Sequence, residues 1–388
     1  MSSRTRRLVL WISAPVVAFA IIGGFLSQAL AREDTYQQLK IFDDVVGLID
    51  ANYVEPVDID RVMGGAMQGL ADTLDPDSAF LTPEQVAQAE RGAPLPVGDV
   101  GIDLTRQYYL RIIATRDDSP AARAGLQTGD YVRAIDGKPS RNLSVFEGSR
   151  SLRGAPGTTV KLTVLRGSAV DPHEIELVRE VLPATEVTGR ILQAGVGYVR
   201  VAALGPQTAE TVETRVAALA AEGASRLIVD VRRASGGSYD GALSLARLFV
   251  ASGTLVQQET KGSEPVAIEA EPGDGSITIP TTLLVDSGTS GAAELFAAAL
   301  VGNERAVIVG EPTVGRAGRQ SLIRLPNGGG LWLTTTRYFM PDGSPLHQEG
   351  LEPTVPVEQP LVEFGQEPSA EDPVLDKALE LLAEQAAA

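Results

Sequence analysis

The chain has 388 residues, enough for two or three domains with substantial cores. Its 33 basic against 50 acidic residues give a net charge of −17, which argues against a nucleic-acid partner and for a soluble, self-repelling surface. It has no cysteine, and this excludes disulfides, thiol catalysis, a cysteine-based zinc site and a lipidated cysteine anchor.

At the N-terminus, Arg4, Arg6 and Arg7 precede an uncharged stretch, Leu8 to Ala31, about as long as a bilayer-spanning helix. The positive flank stays in the cytoplasm and the remaining chain is exported. Residues 1–34 therefore read as a membrane anchor, which places the protein in the cell envelope with its main domains outside the cytoplasm. The other reading is a signal segment, since Ala29-Leu30-Ala31 forms an A-x-A-like cleavage site and would leave a secreted protein. The apolar region is longer than the usual signal core, which favours the anchor.

Residues 35–95 form a helical region. Leu39, Phe42, Val45, Val46 and Ile49 make one apolar stripe at helical spacing, and Val62, Met67, Leu70 and Leu74 make a second. Such faces either pair two chains or pack within one. The Leu74-Asp75-Pro76-Asp77-Ser78 run that follows is too short a carboxylate cluster for a calcium loop, and its acids read as helix-end or turn residues. No motif supports a metal or an organic cofactor.

Residues 96–182 are β-rich. Asp117 to Gly137, DDSPAARAGLQTGDYVRAIDG, is followed by Leu152 to Arg166, which alternates apolar and polar residues as a half-buried strand does. This stretch resembles a PDZ domain. By that resemblance Val100, Gly101, Ile102 and Asp103 sit at the carboxylate-binding loop, whose N–H groups hold a peptide C-terminus while the peptide adds a strand to the sheet edge. The bland alternative is that Gly101 is only a turn glycine.

Residues 183–360 alternate β runs and helices. Val196 to Gly205 and Ser225 to Gly237 each carry a short β run ending in a turn, with helices expected over Thr208 to Ala220 and Gly241 to Val250. This argues for a parallel-rich α/β core. Thr282 to Val285 then feeds a Ser/Gly/Thr turn that opens an Ala- and Leu-rich helix, whose first N–H groups lack internal partners and make an anion or oxyanion site. Residues 361–388 end the chain, with helical spacing over Asp372 to Glu384.

The segment Leu284 to Gln320, LVDSGTSGAAELFAAALVGNERAVIVGEPTVGRAGRQ, resembles the active-site segment of the C-terminal processing (tail-specific) serine peptidases. Their V-x-x-x-S-A-S-A-S-E turn and G-E-x-T-x-G-K-x-x-x-Q run supply a Ser/Lys/Gln catalytic group. Aligned on Val285, Glu294 and Gly310 to Thr313, the nucleophile position falls on Gly291, the general-base lysine on Arg316 and the orienting glutamine on Gln320, with no gap. Residues 74–78, LDPDS, stand where the family commonly has LDPHS, and Asp230 to Gly237 resembles its D-x-R-x-N-x-G-G motif with Ala234 replacing asparagine. The resemblance implies a crotonase-like α/β peptidase core, oxyanion donors at Gly236 and Gly237, and a dimer formed through the N-terminal helices.

The two replacements remove the chemistry the resemblance would otherwise imply. Glycine has no side chain to attack a carbonyl, and loss of a serine nucleophile costs on the order of a millionfold in rate. Arginine stays protonated and cannot accept the hydroxyl proton. Ser290 is the best substitute nucleophile, but one step along a helix turns a side chain by about 100°, so it reads more readily as an N-cap or turn residue. The two histidines, His173 and His347, offer few bases, although His347 falls in a loop that could approach the pocket. The expectation is a pseudo-peptidase that binds protein C-termini. The alternatives are an active endopeptidase using Ser290, or a scaffold that pairs with an active relative.

Overall fold

The computed structural model describes residues 36–90, 96–167, 171–182, 187–193, 195–360, 362–364, 366 and 371–387. The segment 1–34, expected as an anchor or signal, lies outside the described residues. Among those that are described, no helix is long and apolar enough to cross a membrane. The chain divides into two units, Met1–Gly69 and Leu70–Ala388.

Helical spacing in the first unit gives a helix over residues 36–52, and a second helix, Ile59–Asp72, begins in the same unit. Among the described residues the predicted stripe on the first helix is only partly covered: Leu39 is 61% exposed and Ile49 36%, Phe42 and Val46 are half-buried, and Leu48 beside the stripe is 62% exposed. Ile41, Val45, Tyr36 and Tyr53 are exposed with them.

In the second unit a six-stranded sheet forms the centre, in the order Val187–Gln193, Val196–Val201, Arg226–Asp230, Thr281–Val285, Ala306–Gly310 and Val355–Pro356. Only the first pair is antiparallel. The inner strands are near-continuous apolar runs because helices cover both faces. Leu283 and Val285 point into the larger core with helices Thr208–Ala221, Tyr239–Arg247 and Ala292–Gly302. Leu284, Ile228 and Val309 point the other way, against Val374, Ala378 and Leu382 of the C-terminal helix Pro373–Ala387. That helix is tied to the sheet by Arg232, which bonds Asp230 and also Asp372 at 2.8 Å.

A second sheet joins distant parts of the chain. Gly330–Phe339 pairs with Gly318–Arg324, with Thr254–Thr260 and with the short strand Ala79–Leu81. The run after the N-terminal helices is thereby built into the later half of the protein.

The β-rich stretch makes its own antiparallel sheet, ordered Ile102–Arg106, Leu110–Thr115, Tyr131–Ile135, Thr159–Leu165 and His173–Val178. Thr159–Leu165 buries Val160, Leu162 and Val164, as its alternation predicted. Helix Val145–Leu152 lies over the sheet, started by a capping box in which Ser144 accepts from Glu147 N while the Glu147 carboxylate accepts from Ser144 N. This domain sits on the loops of the central sheet. Asp117 bonds Arg200 at 3.0 Å and Arg233 at 2.9 Å, and Ser235 Oγ donates to Asp103 at 2.5 Å.

Candidate active site

The strand Thr281–Val285 is buried throughout and delivers the chain to a turn at residues 286–290. Asp286 organises that turn: its carboxylate accepts from Arg233 N at 2.7 Å, Gly288 N at 3.0 Å and Thr289 Oγ1 at 3.2 Å. Burial pushes its pKa up, against those bonds. Thr289 Oγ1 also lies 2.9 Å from Val231 O, and Ser290 N donates to Ala234 O at 3.0 Å. The turn is thus pinned to the loop that follows Arg226–Asp230.

The helix starts at Gly291, which occupies the N-cap at φ 61° and ψ −113°. This left-handed backbone favours glycine, and a strained residue on a strand-to-helix turn is how hydrolases of other folds present a nucleophile. A Cβ at this position would meet nothing closer than Tyr239 Oη at 3.8 Å and Arg316 O at 3.9 Å. Space for a side chain exists; the side chain does not.

Three residues on, Glu294 is fully buried and holds the site together. It accepts from Gly291 N at 2.8 Å, the glutamate half of a capping box, and from Thr313 Oγ1 at 2.6 Å, Gly315 N at 2.5 Å and Arg316 N at 2.8 Å. Burial raises its pKa while these four donors oppose the rise. Tyr239 fixes the same loop from the other side, its hydroxyl lying 3.0 Å from Arg316 O and 2.8 Å from Gly318 O. Its ring stacks on Tyr338 at 4.7 Å.

The Arg316 side chain points away from this backbone tie and forms a two-toothed pair with Asp77, with Nε at 3.0 Å and Nη2 closer still. Burial works to lower the Arg316 pKa, but the Asp77 charge and bonds outweigh it and the net shift is upward. The guanidinium is a fixed cation. Gln320 donates to Gly318 O at 3.0 Å and to Thr334 Oγ1 at 3.1 Å. Together with Asp77, Arg316 and Trp332, it lines a cavity of about 240 Å³. Val145, Phe146, Arg150 and Arg153, on or just past the helix over the β-rich sheet, form the facing wall.

Ser290 is 1% exposed and its hydroxyl has no hydrogen-bond partner among the described residues. Gly291 holds the N-cap, so Ser290 is a buried turn residue and does not cap the helix. His347 packs on Gly318, whose added Cβ would lie 2.8 Å from His347 Cε1. Its Nδ1 is also unpaired among the described residues, so it is not bonded to the Ser290 hydroxyl. Gly236 and Gly237 pair in parallel with Ala203 and Leu204, and the helix Ala292–Gly302 packs beside them. Val100 and Gly101 enter the strand Ile102–Arg106, and their N–H groups both donate to Asp99 Oδ1, at 2.7 and 3.0 Å.

No sequence motif by itself marks Asp77, Glu294, Tyr239 or Asp99 as a site residue. Two of them left a signal. Glu294 lies three residues after Gly291, the spacing of a capping box. Asp77 is the position at which LDPDS departs from the LDPHS run it resembles, and the residue it meets, Arg316, is another departure.

A family model described as peptidase family S41 matches residues 195–357, and one described as a PDZ domain matches residues 111–166. A carboxy-terminal-processing protease of Bartonella bacilliformis is 29% identical over 363 residues, covering 89% of this chain and 83% of the relative. A carboxyl-terminal-processing protease of Synechocystis sp. is 31% identical over 325 residues, covering 82% and 76%. Among solved structures, the photosystem II D1 C-terminal processing protease superposes with a TM-score of 0.69 at 24% identity, covering 82% of this chain and 92% of that one, which is a likeness of fold.

Proposed function

The chain belongs to the S41 peptidase family, beside the C-terminal processing proteases, and from that premise we propose that it holds protein segments without cutting them. The observation that carries this reading is the pairing of two features: position 291 offers space but no nucleophile, and the cation at position 316 is locked to Asp77. A protonated guanidinium in such a pair accepts no proton, so neither half of a Ser/Lys dyad is present. Segments are captured by the PDZ domain, along its edge strand Ile102–Arg106, and its helix Val145–Leu152 walls the cavity that Arg316 lines. On this reading residues 96–182 are the binding domain and residues 183–360 a peptidase-like body, exported behind the N-terminal segment 1–34 and retained at the membrane by it.

The test is cleavage of a mixture of unfolded proteins by the purified chain. We expect no cleavage by the parent. Gly291→Ser with Arg316→Lys is expected to remain weak, because a lysine beside Asp77 would stay charged and could not act as the base. Adding Asp77→His removes that charge, and the triple variant is the one expected to gain activity. Parent activity that disappears in Ser290→Ala would overturn the reading and restore an active endopeptidase.

One observation favours a second role beside the first. The exposed apolar stripe of helix 36–52 supports pairing, as a homodimer or with a related active peptidase. Light scattering of the purified chain, and of Leu39→Glu/Leu48→Glu beside it, distinguishes self-pairing from a monomer.

A further inference from the structure

We propose that Asp99 occupies, from within the chain, the place where a ligand's C-terminal carboxylate would bind in the PDZ groove, so that the groove takes internal extended segments of proteins in preference to their C-termini. This rests on the segment-binding reading above and narrows its ligand class.

The groove has an open edge. Among the described residues Ile102–Arg106 is the outermost strand of its sheet and pairs on one side only, with Leu110–Thr115, so a peptide can add as the next strand. At the entrance of that strand, Val100 and Gly101 present two successive N–H groups. Gly101 stands at φ 77°, and a Cβ there would fall 2.3 Å from Ser119 Cβ, so the turn is built for glycine. Successive N–H groups in such a turn make a concave anion site.

That site is filled. One oxygen of Asp99 accepts both N–H groups, and the other lies 2.9 Å from Nη2 of Arg153, the residue that ends helix Val145–Leu152. Two backbone donors and a guanidinium are the complement a peptide's terminal carboxylate requires. Asp99 has them all, and its side chain is only 14% exposed.

Competition favours the resident group. A tethered group has an effective concentration of about a millimolar or more, so a free terminus at micromolar concentration is outcompeted by roughly a thousandfold for equal contacts. An internal segment makes no demand on the loop. It needs main-chain bonds to the strand edge and a continuing chain on both sides.

The experiment uses the purified full chain, immobilised, and one randomised decapeptide pool made twice, with free C-terminal carboxylates and with C-terminal amides. Retention is quantified by mass spectrometry. The parent is expected to retain the two pools equally, within about twofold. Asp99→Gly is expected to retain the free-acid pool at least tenfold better than the amide pool. Asp99→Asn keeps the size and an acceptor oxygen but not the charge, so it should shift the same way by less, and it decides the matter if the glycine variant does not fold. A parent that already prefers free acids tenfold overturns the proposal. Equal retention by the parent and both variants also overturns it, while leaving segment binding intact. If neither pool is retained by any form, the proposal and the segment-binding reading fall together.

Discussion

Two faces of one turn, a few residues apart, have fared differently in this chain. On the inner face Glu294 meets four donors, and every partner expected of a buried carboxylate is present. On the outer face Gly291 has no side chain, Arg316 is committed to Asp77, and the Ser290 hydroxyl has no partner among the described residues. The inner contacts set where the backbone of residues 291 and 313–316 lies; the outer groups set what chemistry that backbone can present. On the proposed reading the scaffold persists without its reacting groups, because the bonds that shape it are not the ones that react.

Breaking the inner face should have the largest effect. Glu294→Ala strands four donors in a dry site, and each buried donor left unpaired costs about 1–3 kcal/mol. We expect a loss of at least about 4 kcal/mol in urea unfolding, in the range reserved for disrupted buried networks. Glu294→Gln keeps one acceptor oxygen and should lose roughly half as much. A loss below about 1 kcal/mol for the alanine variant would mean that the loop is held by something else.

The outer pair ranks next. Asp77 and Arg316 have side chains 9% and 24% exposed, between the fully buried pair, worth about 3–5 kcal/mol when halved, and the surface pair, worth less than about 1. Either alanine substitution should cost about 2 kcal/mol. The double-mutant cycle should show coupling of about 1–2 kcal/mol. Coupling near zero would reduce the pair to a surface contact and free Arg316 for another role.

These two faces were unequally legible in the sequence. The strand, turn and helix around residue 291 could be read because buried apolar runs and a helix start obey local rules, and the family likeness covers the same residues. By that likeness Gly291 and Arg316 read as departures from the serine and lysine positions of the family. The Asp77–Arg316 pair was not, since 239 positions separate the partners and no local rule joins them. Nor could sequence place the PDZ domain over the loops at 232–237, which depends on single contacts such as Asp117 with Arg233. The occupation of the Val100 and Gly101 N–H groups by Asp99 was closer to legibility, because an aspartate directly before a glycine turn often bonds the next N–H groups.

Position 291 itself offers a sharper comparison. Gly291→Ser has room for its Cβ but must adopt a left-handed backbone, which costs about 1–2 kcal/mol. The variant should fold with that loss and no more. A loss above about 4 kcal/mol would show that the pocket has closed around glycine and that restoring the nucleophile alone cannot restore the site. Ser290→Ala runs the other way. Removing a buried hydroxyl with no partner among the described residues should be neutral or stabilise by up to about 1 kcal/mol. A clear destabilisation would reveal a partner for that hydroxyl.

The smallest expected effect is a pH dependence on the outer face. Burial lowers the His347 pKa below its ordinary 6.5, with Asp75 and Asp77 pulling it back up and Arg337 pushing it down. The folded protein therefore keeps the imidazole neutral where the unfolded chain would bind a proton. The stability this contributes is present above pH 6.5 and is lost progressively as pH falls toward the depressed folded value. Glu294 and Asp286 have raised values and slope the opposite way, since what they contribute is fully present only below the ordinary carboxylate range. Thermal unfolding of the parent across pH 7.5 to 5 mixes these terms, but subtracting the profile of His347→Gln, which retains both carboxylates, isolates the histidine. A difference that falls as pH is lowered supports a neutral, half-buried His347. A flat difference would mean that the ring already meets water or a carboxylate, and Asp77 would then be shared between His347 and Arg316.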